Sequence, residues 1–464
     1  MKGRTEQEGS DPAEDMRADT ASWRGERESR CGGKHGDPQA ENMMERILAP
    51  GNLGQAWKRV KANKGAPGID GMTVEDFPAF CRKHWPRISS AIQEGKYRPA
   101  AVRRVFIPKP DGTQRPLGVP TVLDRVIQQA VAQVLGPLFE SGFSEQSYGF
   151  REGRNAHQAV RQVEAGWKEG RRHAVDCDLK SFFDTVNHDR LMGQLRERIK
   201  DHGVLGLIRR YLQAGVLMPD GTCEATPQGV PQGGPLSPLL ANIVLDPLDK
   251  ELEARGHKFA RYADDFIVMV KSAKAAERVM ASLIRFAEDT LKLVVNRAKS
   301  QSAPLKACSF LGFQIGARGK AVWTAKVQAR FKQRVREITR RNRGHRVQDV
   351  IGELRLYVNG WLNYFGISHT YKVVLELEEW LRRRVRLYYW KQWKQPRTRR
   401  RNLIKLGADP AEVKLASRSR KGYWRMSSNR ILQQALNNHW LEEHGVPNMR
   451  TLWIKLHYGP KARV

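Results

Sequence analysis

Asp264 and Asp265 stand side by side in a largely apolar run, Phe259-Ala260-Arg261-Tyr262-Ala263-Asp264-Asp265-Phe266-Ile267-Val268-Met269-Val270. Burying two carboxylates costs several kcal/mol unless something compensates. Like charges this close drive one pKa up unless a cation keeps both ionised. A divalent metal is the economical compensation, and hard oxygen ligands select Mg²⁺ or Mn²⁺ over zinc. The plainer alternative is an Asp pair that merely caps a hairpin. A second pair bears on the choice. Asp176 and Asp178 lie two apart in His173-Ala174-Val175-Asp176-Cys177-Asp178-Leu179, so on a strand both point one way. Val175, Cys177 and Leu179 then face the core. If this strand lies beside the 264–265 turn, three or four carboxylates converge, the ligand set for two cations ~3.5–4 Å apart in in-line phosphoryl transfer. Periodicity does not choose between Asp176 and Asp178.

The elements that must position these groups can be read from the pattern. From about 170 to 315 short strands alternate with helices, with Phe310-Leu311-Gly312-Phe313-Gln314-Ile315 as a further strand, which indicates helices behind one sheet. Upstream, Val102–Pro108 and Gln114–Val119 read as a hairpin closed by Lys109-Pro110-Asp111-Gly112, a Pro-Asp-Gly turn with basic surroundings. A helix runs from Asp124 to about Phe139, with Val126, Ile127, Ala130, Val131 and Val134 at helical spacing. Order is expected from Met43-Met44-Glu45-Arg46-Ile47-Leu48. Residues 1–42 are polar and carry too little apolar surface to offset ordering entropy, so a disordered tail is expected there.

The 464 residues carry 81 Lys plus Arg against 49 Asp plus Glu, a formal charge of +32. At roughly 150 residues per domain, that length gives two to four domains. No apolar run approaches the ~18–20 residues of a membrane span, and the polar start has no signal-peptide core. Five scattered cysteines, without a CxxC pair or a Cys/His cluster, argue against a disulfide scaffold and against structural zinc. A bacterial-type cytosol, in association with nucleic acid, is the expected location. The charge is lopsided: residues 321–464 hold 32 Lys/Arg against 10 Asp/Glu, and eight of the 12 Trp. Such a mixture suits a surface that grips a phosphate backbone and stacks on bases; a solvated helical face with ordinary core Trp is the alternative.

These residues carry a family resemblance. Tyr262-Ala263-Asp264-Asp265 resembles the YADD box of reverse transcriptases, and Asp178-Leu179-Lys180-Ser181-Phe182-Phe183-Asp184 resembles their first palm motif. Pro227-Gln228-Gly229-Val230-Pro231-Gln232-Gly233-Gly234-Pro235-Leu236-Ser237 is similar to the template and nucleotide motif between them, and Asn296-Arg297-Ala298-Lys299 and Phe310-Leu311-Gly312-Phe313 follow in the family's order. The nearest resemblance is to group II intron reverse transcriptase/maturases, through Gly68-Ile69-Asp70-Gly71 and Ser147-Tyr148-Gly149-Phe150-Arg151 early on. Gly360-Trp361-Leu362-Asn363-Tyr364-Phe365, the segments 380–386 and 390–394, and Lys421-Gly422-Tyr423-Trp424-Arg425 look like the maturase region. The ordered set runs from about residue 50 to the end.

The resemblance implies an α+β, right-hand polymerase. Fingers would occupy 43–165 and a palm sheet 166–318, followed by an all-α thumb/maturase region at 319–395 and a basic C-terminal segment at 396–464. It implies an RNA-directed DNA polymerase that also assists intron splicing, and intron mobility by target-primed reverse transcription. Expected partners are intron RNA, an RNA template, a DNA primer or target, and dNTPs, with no membrane and no zinc. It selects Asp178 over Asp176, by its spacing to Phe183. Asp178, Asp264 and Asp265, with the Leu179 carbonyl, would then hold two Mg²⁺, with Mn²⁺ as the substitute. Nucleotide contacts would come from Lys109, Arg115, Phe183 (which would reject a 2′-hydroxyl), Gln232 and Lys299. Nucleic-acid contacts would come from Arg382, Arg383, Arg384, Arg386, Lys391, Trp393, Lys394, Arg399, Arg400, Lys421 and Trp424. Longer members end in a Cys-rich endonuclease, whereas no cysteine follows Cys308, so an endonuclease-lacking type is expected. Two other readings stand beside this one: the reverse transcriptase of a different retroelement or domesticated system, and a non-catalytic RNA-binding splicing factor.

Overall fold

The computed structural model describes residues 42–108, 112, 114–340 and 342–459. The expected tail at 1–42 lies outside these residues except for Asn42, and Lys109 lies outside them too. The chain forms two units, one comprising residues up to 159 with 173–303, the other 160–172 with everything from 304.

In the first unit, β1 (Val102–Pro108) and β2 (Gln114–Val119) form the expected antiparallel hairpin, with Arg103 opposite Val119 and Ile107 opposite Arg115. β3 (His173–Cys177) lies in a second sheet, and the short β4 (Val216–Leu217) and β5 (Cys223–Glu224) extend the first. β6 (Lys258–Tyr262), β7 (Asp265–Val270) and β8 (Gln301–Pro304) complete the second sheet, in the order β6-β7-β3-β8. Helices pack on it. The one at Val122–Glu140 opens with the Thr121 hydroxyl accepting from the Asp124 N–H, an N-cap worth ~1 kcal/mol. Its apolar stripe Val126, Ile127, Ala130, Val131 and Leu135 is fully buried, the packing that a 3.6-residue period predicts. The helix Ser237–Ala254 buries Leu240, Ile243, Val244, Leu245, Leu248 and Leu252 in the same core.

The second unit is mostly helical. Its only sheet among the described residues is the hairpin of β9 (Phe313–Ile315) and β10 (Ala321–Trp323). The expected strand therefore starts three residues late. Leu311 and Gly312 both take positive φ, 52° and 84°, which no strand continues through; Phe310 instead bridges back to Phe313. Helices Ala325–Ile338, Val347–Phe365 and Tyr371–Gln392 pack around Phe331, Leu354, Val358, Leu362, Leu377 and Leu381. Among the described residues, no helix is long and apolar enough to cross a membrane.

Candidate active site

β6 and β7 meet in a two-residue turn, Ala263-Asp264, with Tyr262 paired to Asp265. Ala263 takes φ +59°, the left-handed geometry that tight hairpins use. On the other side of β7, β3 runs antiparallel and ends where Cys177 pairs with Phe266. One step further brings Asp178 level with Asp265. β3 alternates as expected, with Val175, Cys177 and Leu179 buried and Asp176 and Asp178 half-buried.

The turn is held from beneath. Arg261, fully buried, donates to Asp249 Oδ1 at 2.8 Å, to Asn242 Oδ1 at 2.9 Å and to the Ala263 carbonyl at 3.0 Å. Asn242 in turn donates to the Gly149 carbonyl at 2.9 Å. The Ser147–Arg151 segment runs alongside β6, with the Tyr148 N–H on the Arg261 carbonyl and the Arg261 N–H on the Gln146 carbonyl. Gly149 is where this segment touches the acidic turn. A Cβ there would lie 2.3 Å from the Ala263 nitrogen, a distance no real contact tolerates, so one backbone must move. Gly149→Ala is expected to fold yet to lose at least about tenfold in primer extension, since ångström displacements of a reacting group cost that and more. Unchanged extension would show that the turn has slack.

Asp178 is fixed by the segment after the helices. The Asn296 Nδ2 donates to its Oδ2 at 2.8 Å, and the Ser300 hydroxyl accepts from its N–H at 3.0 Å. Asp176 instead accepts from Gln301 at 3.3 Å. Leu179 bridges Val295 through the flanking bonds, Asn296 N–H to Asp178 O and Lys180 N–H to Val294 O, and neither bond takes up the Leu179 carbonyl.

The carboxylates disturb one another. Burial, then the charges of Asp264, Asp178 and Asp176, push the Asp265 carboxyl up to about 6, although Asp265 keeps an open face to solvent. Burial raises the Asp264 and Asp176 carboxyls as well, with Asp178 adding to each. Arg115 on β2 is near enough to pull down both members of the 264–265 pair. Among the described residues, no three His, Cys, Asp or Glu side chains are gathered closely enough to hold an ion. Like charges keep side chains apart when nothing neutralises them, and Asp178 leans on Asn296. The donor chemistry nevertheless fits a hard divalent cation, being all carboxylate oxygen at the end of one sheet and mutually destabilised when ionised.

Beside the turn lies a cavity of about 590 Å³ whose walls include Arg115, Phe183 and Gln232. Three of the expected nucleotide contacts thus face one space. Two glycines bring its walls together. Gly233 (φ +124°) would place a Cβ 2.5 Å from the Gly118 carbonyl of β2, and Gly118 donates its N–H to the Gln232 carbonyl at 2.7 Å. The Val230 N–H holds the Phe183 carbonyl at 2.6 Å. Lys299 is exposed on the turn after Asn296, away from this lining. Arg125 and Phe150 line the cavity without having been singled out. Arg125 donates to the Ala66 carbonyl at 2.7 Å, and Phe150 stands exposed at φ +59°. No periodicity points a side chain of a helix or turn at a distant loop, so the sequence pattern does not single these two out.

The basic region of the second unit divides into buried, internally paired cations and exposed ones. Arg382 is buried and paired with Glu378 and, at 2.7 Å, with Glu442. Arg386 is buried, donating to the Leu436 carbonyl and Asn438, and Arg399 is buried against the Trp390 ring with its Nε on the Trp393 carbonyl. These three guanidiniums serve the protein's own acceptors, as desolvation requires of a buried cation. Arg384 is held by Thr339, and Arg383 lies 3.8 Å over the Trp424 ring. Lys391 and Trp393 are half-buried, while Lys394, Arg400, Lys421 and Trp424 are exposed. Of the eight Trp here only Trp424 is exposed, so the aromatic density is chiefly packing.

Carboxylates gathered at a hairpin turn, with Arg115 in reach and on the wall of a cavity, form an arrangement suited to a divalent cation and a phosphate. Residues 107–315 match the family model "Reverse transcriptase (RNA-dependent DNA polymerase)", and residues 328–407 match "Group II intron, maturase-specific domain". Protein YkfC of Escherichia coli is 33% identical over 302 residues, 56% of this chain and 79% of that protein. Group II intron-encoded protein LtrA of Lactococcus lactis is 29% identical over 357 residues, 62% of this chain and 58% of LtrA. A yeast protein, the putative COX1/OXI3 intron 1 protein, is 32% identical over 217 residues, 46% of this chain and 26% of its own length. The chain belongs to the group II intron reverse transcriptase/maturase family, with an RNA-dependent DNA polymerase domain followed by a maturase domain. Dependence on a divalent metal comes with that polymerase domain.

Proposed function

We propose that the chain copies RNA into DNA at Asp178, Asp264 and Asp265, with two Mg²⁺ bound by these carboxylates and the Leu179 carbonyl. When bound, the ions activate the primer 3′-hydroxyl and neutralise charge on the departing pyrophosphate. The protein's own work is positioning. Asn296 and Ser300 fix Asp178, Arg261 fixes the 264–265 turn, and Arg115 faces the triphosphate. Lys109 and Lys299 belong to the same reading as further phosphate contacts. The β1–β2 hairpin with the preceding helices would form the fingers, the β6-β7-β3-β8 sheet the palm, and the helices after 325 the thumb and maturase region. Lys391, Lys394, Arg400, Lys421 and Trp424, with Arg383, Arg384 and Trp393 at its margin, would face intron RNA or target DNA in a bacterial-type cytosol, where the element would move by target-primed reverse transcription. One observation carries this reading: the mutual effect of Asp178, Asp264 and Asp265, with Arg115 in reach, beside the cavity of Phe183 and Gln232.

The test is extension of a DNA primer on an RNA template with dNTPs and Mg²⁺, which should need all three carboxylates. Product formed without a divalent cation would overturn the reading. In the same assay Phe183→Val should admit ribonucleotides. A ring pressed against the sugar excludes a 2′-hydroxyl sterically, and overlaps of this kind are worth ~1–3 kcal/mol, so discrimination should fall about 10- to 100-fold. Equal discrimination in the variant would move the sugar gate elsewhere.

A further inference from the structure

The second unit has a cavity of its own, about 450 Å³, within the ~300–1,000 Å³ of small-ligand sites. Arg161, Glu164 and Lys168 line it from one face of the Ala156–Lys168 helix, Lys320 from the turn before β10, and His369 and His457 from either side of the C-terminal helix contact. Three permanent cations thus face one carboxylate. That carboxylate is engaged: Glu164 accepts from the Ala321 N–H at 2.7 Å and lies 3.8 Å from Lys320. Among the described residues, the side chains of Arg161 and Lys168 meet no hydrogen-bond partner or counter-ion. The imidazoles are set in place, His457 by its Nε2 on the Gly366 carbonyl at 2.8 Å and by stacking on Trp453, His369 by lying edge-on to His457 at 4.9 Å. Burial, His457 and Lys320 hold the His369 imidazole below its ordinary value, against a smaller pull from Glu164. The pocket is therefore electropositive, since Arg161, Lys168 and Lys320 outnumber its one carboxylate, Glu164. Ile367 and Leu456 add apolar wall, and Leu456 is half exposed. Cations on one side and aliphatic surface on the other match a phosphate joined to a sugar and a base. Most of these residues lie outside the 328–407 maturase match.

We propose that this cavity binds one nucleotide of an RNA strand held by the second unit, its phosphate between Arg161, Lys168 and Lys320 and its base against Leu456. The proposal rests on the family's RNA-binding character, and its failure can be told apart from a failure of that character.

Two measurements on the full chain test it. With ¹³C-labelled histidine, and with signals assigned through His369→Gln and His457→Gln, adenosine 5′-monophosphate should shift both imidazoles, inorganic phosphate should shift them less, and adenosine should leave them unmoved. Binding of a single-stranded RNA 20-mer, followed by anisotropy across a salt series, should weaken about tenfold in Arg161→Gln/Lys168→Gln/Lys320→Gln. Its log–log salt slope should fall by ~0.7–1.4, one or two phosphates' worth for single strands. Primer extension on a short template reports that the variant is folded. No imidazole shift at millimolar nucleotide overturns the site. Imidazole shifts with an unchanged RNA slope make it a pocket for free nucleotides and overturn the RNA assignment. If wild-type protein binds RNA without salt dependence, the RNA-binding reading itself falls, and the site with it.

Discussion

Asp265→Asn is expected to cut DNA synthesis drastically and, in metal-free buffer, to make the protein more stable. Both outcomes follow from the proposed role of this carboxylate, which must be ionised for the metal although burial and its acidic neighbours oppose its charge. Charge stabilisation by a bound metal is worth several kcal/mol; with ~1.4 kcal/mol per tenfold, removing an ionised ligand should lower the rate about 10³-fold or more. Single-turnover primer extension at saturating Mg²⁺ is the measurement, with RNA affinity unchanged as the control. Full extension by the variant would detach Asp265 from the chemistry.

The stability arm follows from the sign of the perturbation. The native Asp265 carboxyl sits at about 6, above its ordinary 3.8, so between those values the folded chain binds more protons than the unfolded one. Folding stability must then fall as pH rises through that window. Asp265→Asn lacks this loss. Its advantage in thermal melts with chelator should be absent near pH 4, grow through about 6, and hold above it. Adding Mg²⁺ should stabilise wild type more than the variant, since only the wild type offers the third carboxylate. Melting curves that stay parallel at every pH would mean the carboxylates do not repel.

How much of this the sequence disclosed depends on how local each feature is. The strands of the β1–β2 hairpin and of the 258–270 hairpin were legible because two short β-prone runs and the break between them sit close together in the chain. Choosing between Asp176 and Asp178 was not possible from period two, since both point the same way. What separates them is tertiary: Asn296 and Ser300 meet Asp178, whereas Gln301 meets Asp176. The surroundings of the arginines at 382–386 are not legible in the same local way. A basic run looks like a phosphate-gripping face, yet Arg382 finds Glu442 some 60 residues away and Arg386 finds Asn438. Helical spacing reports which residues share a side, and says nothing of what another helix offers them. The same holds for Trp390 and Trp453, whose density suggested a stacking surface and whose rings fill the core. Arg261 went unremarked although it interrupts the apolar strand before the acidic turn. A charge that must be buried on both faces was the available signal.

Arg261 also yields the other large expected effect. Its guanidinium and Asp249 are fully buried, and burial already raises the Asp249 carboxyl while Arg261 pulls it back. Arg261→Met leaves that carboxylate alone in the interior, which costs about 3–5 kcal/mol in chemical denaturation. Loss of extension in this variant would not by itself separate misfolding from mispositioning. The charge-free pair Arg261→Met/Asp249→Leu does, because replacing both partners of a buried ion pair by apolar groups is often neutral and a double-mutant cycle isolates the coupling. The double variant should regain most of the lost stability and still extend primers poorly. The contacts from Arg261 to the Ala263 carbonyl and to Asn242, which holds the Gly149 carbonyl, are not restored by Met and Leu. The deficit should lie in kcat, with dNTP KM near wild type, since Arg115, Phe183 and Gln232 are untouched. Recovery of both stability and kcat would reduce the pair to a core element. Recovery of stability alone would make Arg261 the residue that holds the 264–265 turn where DNA synthesis needs it.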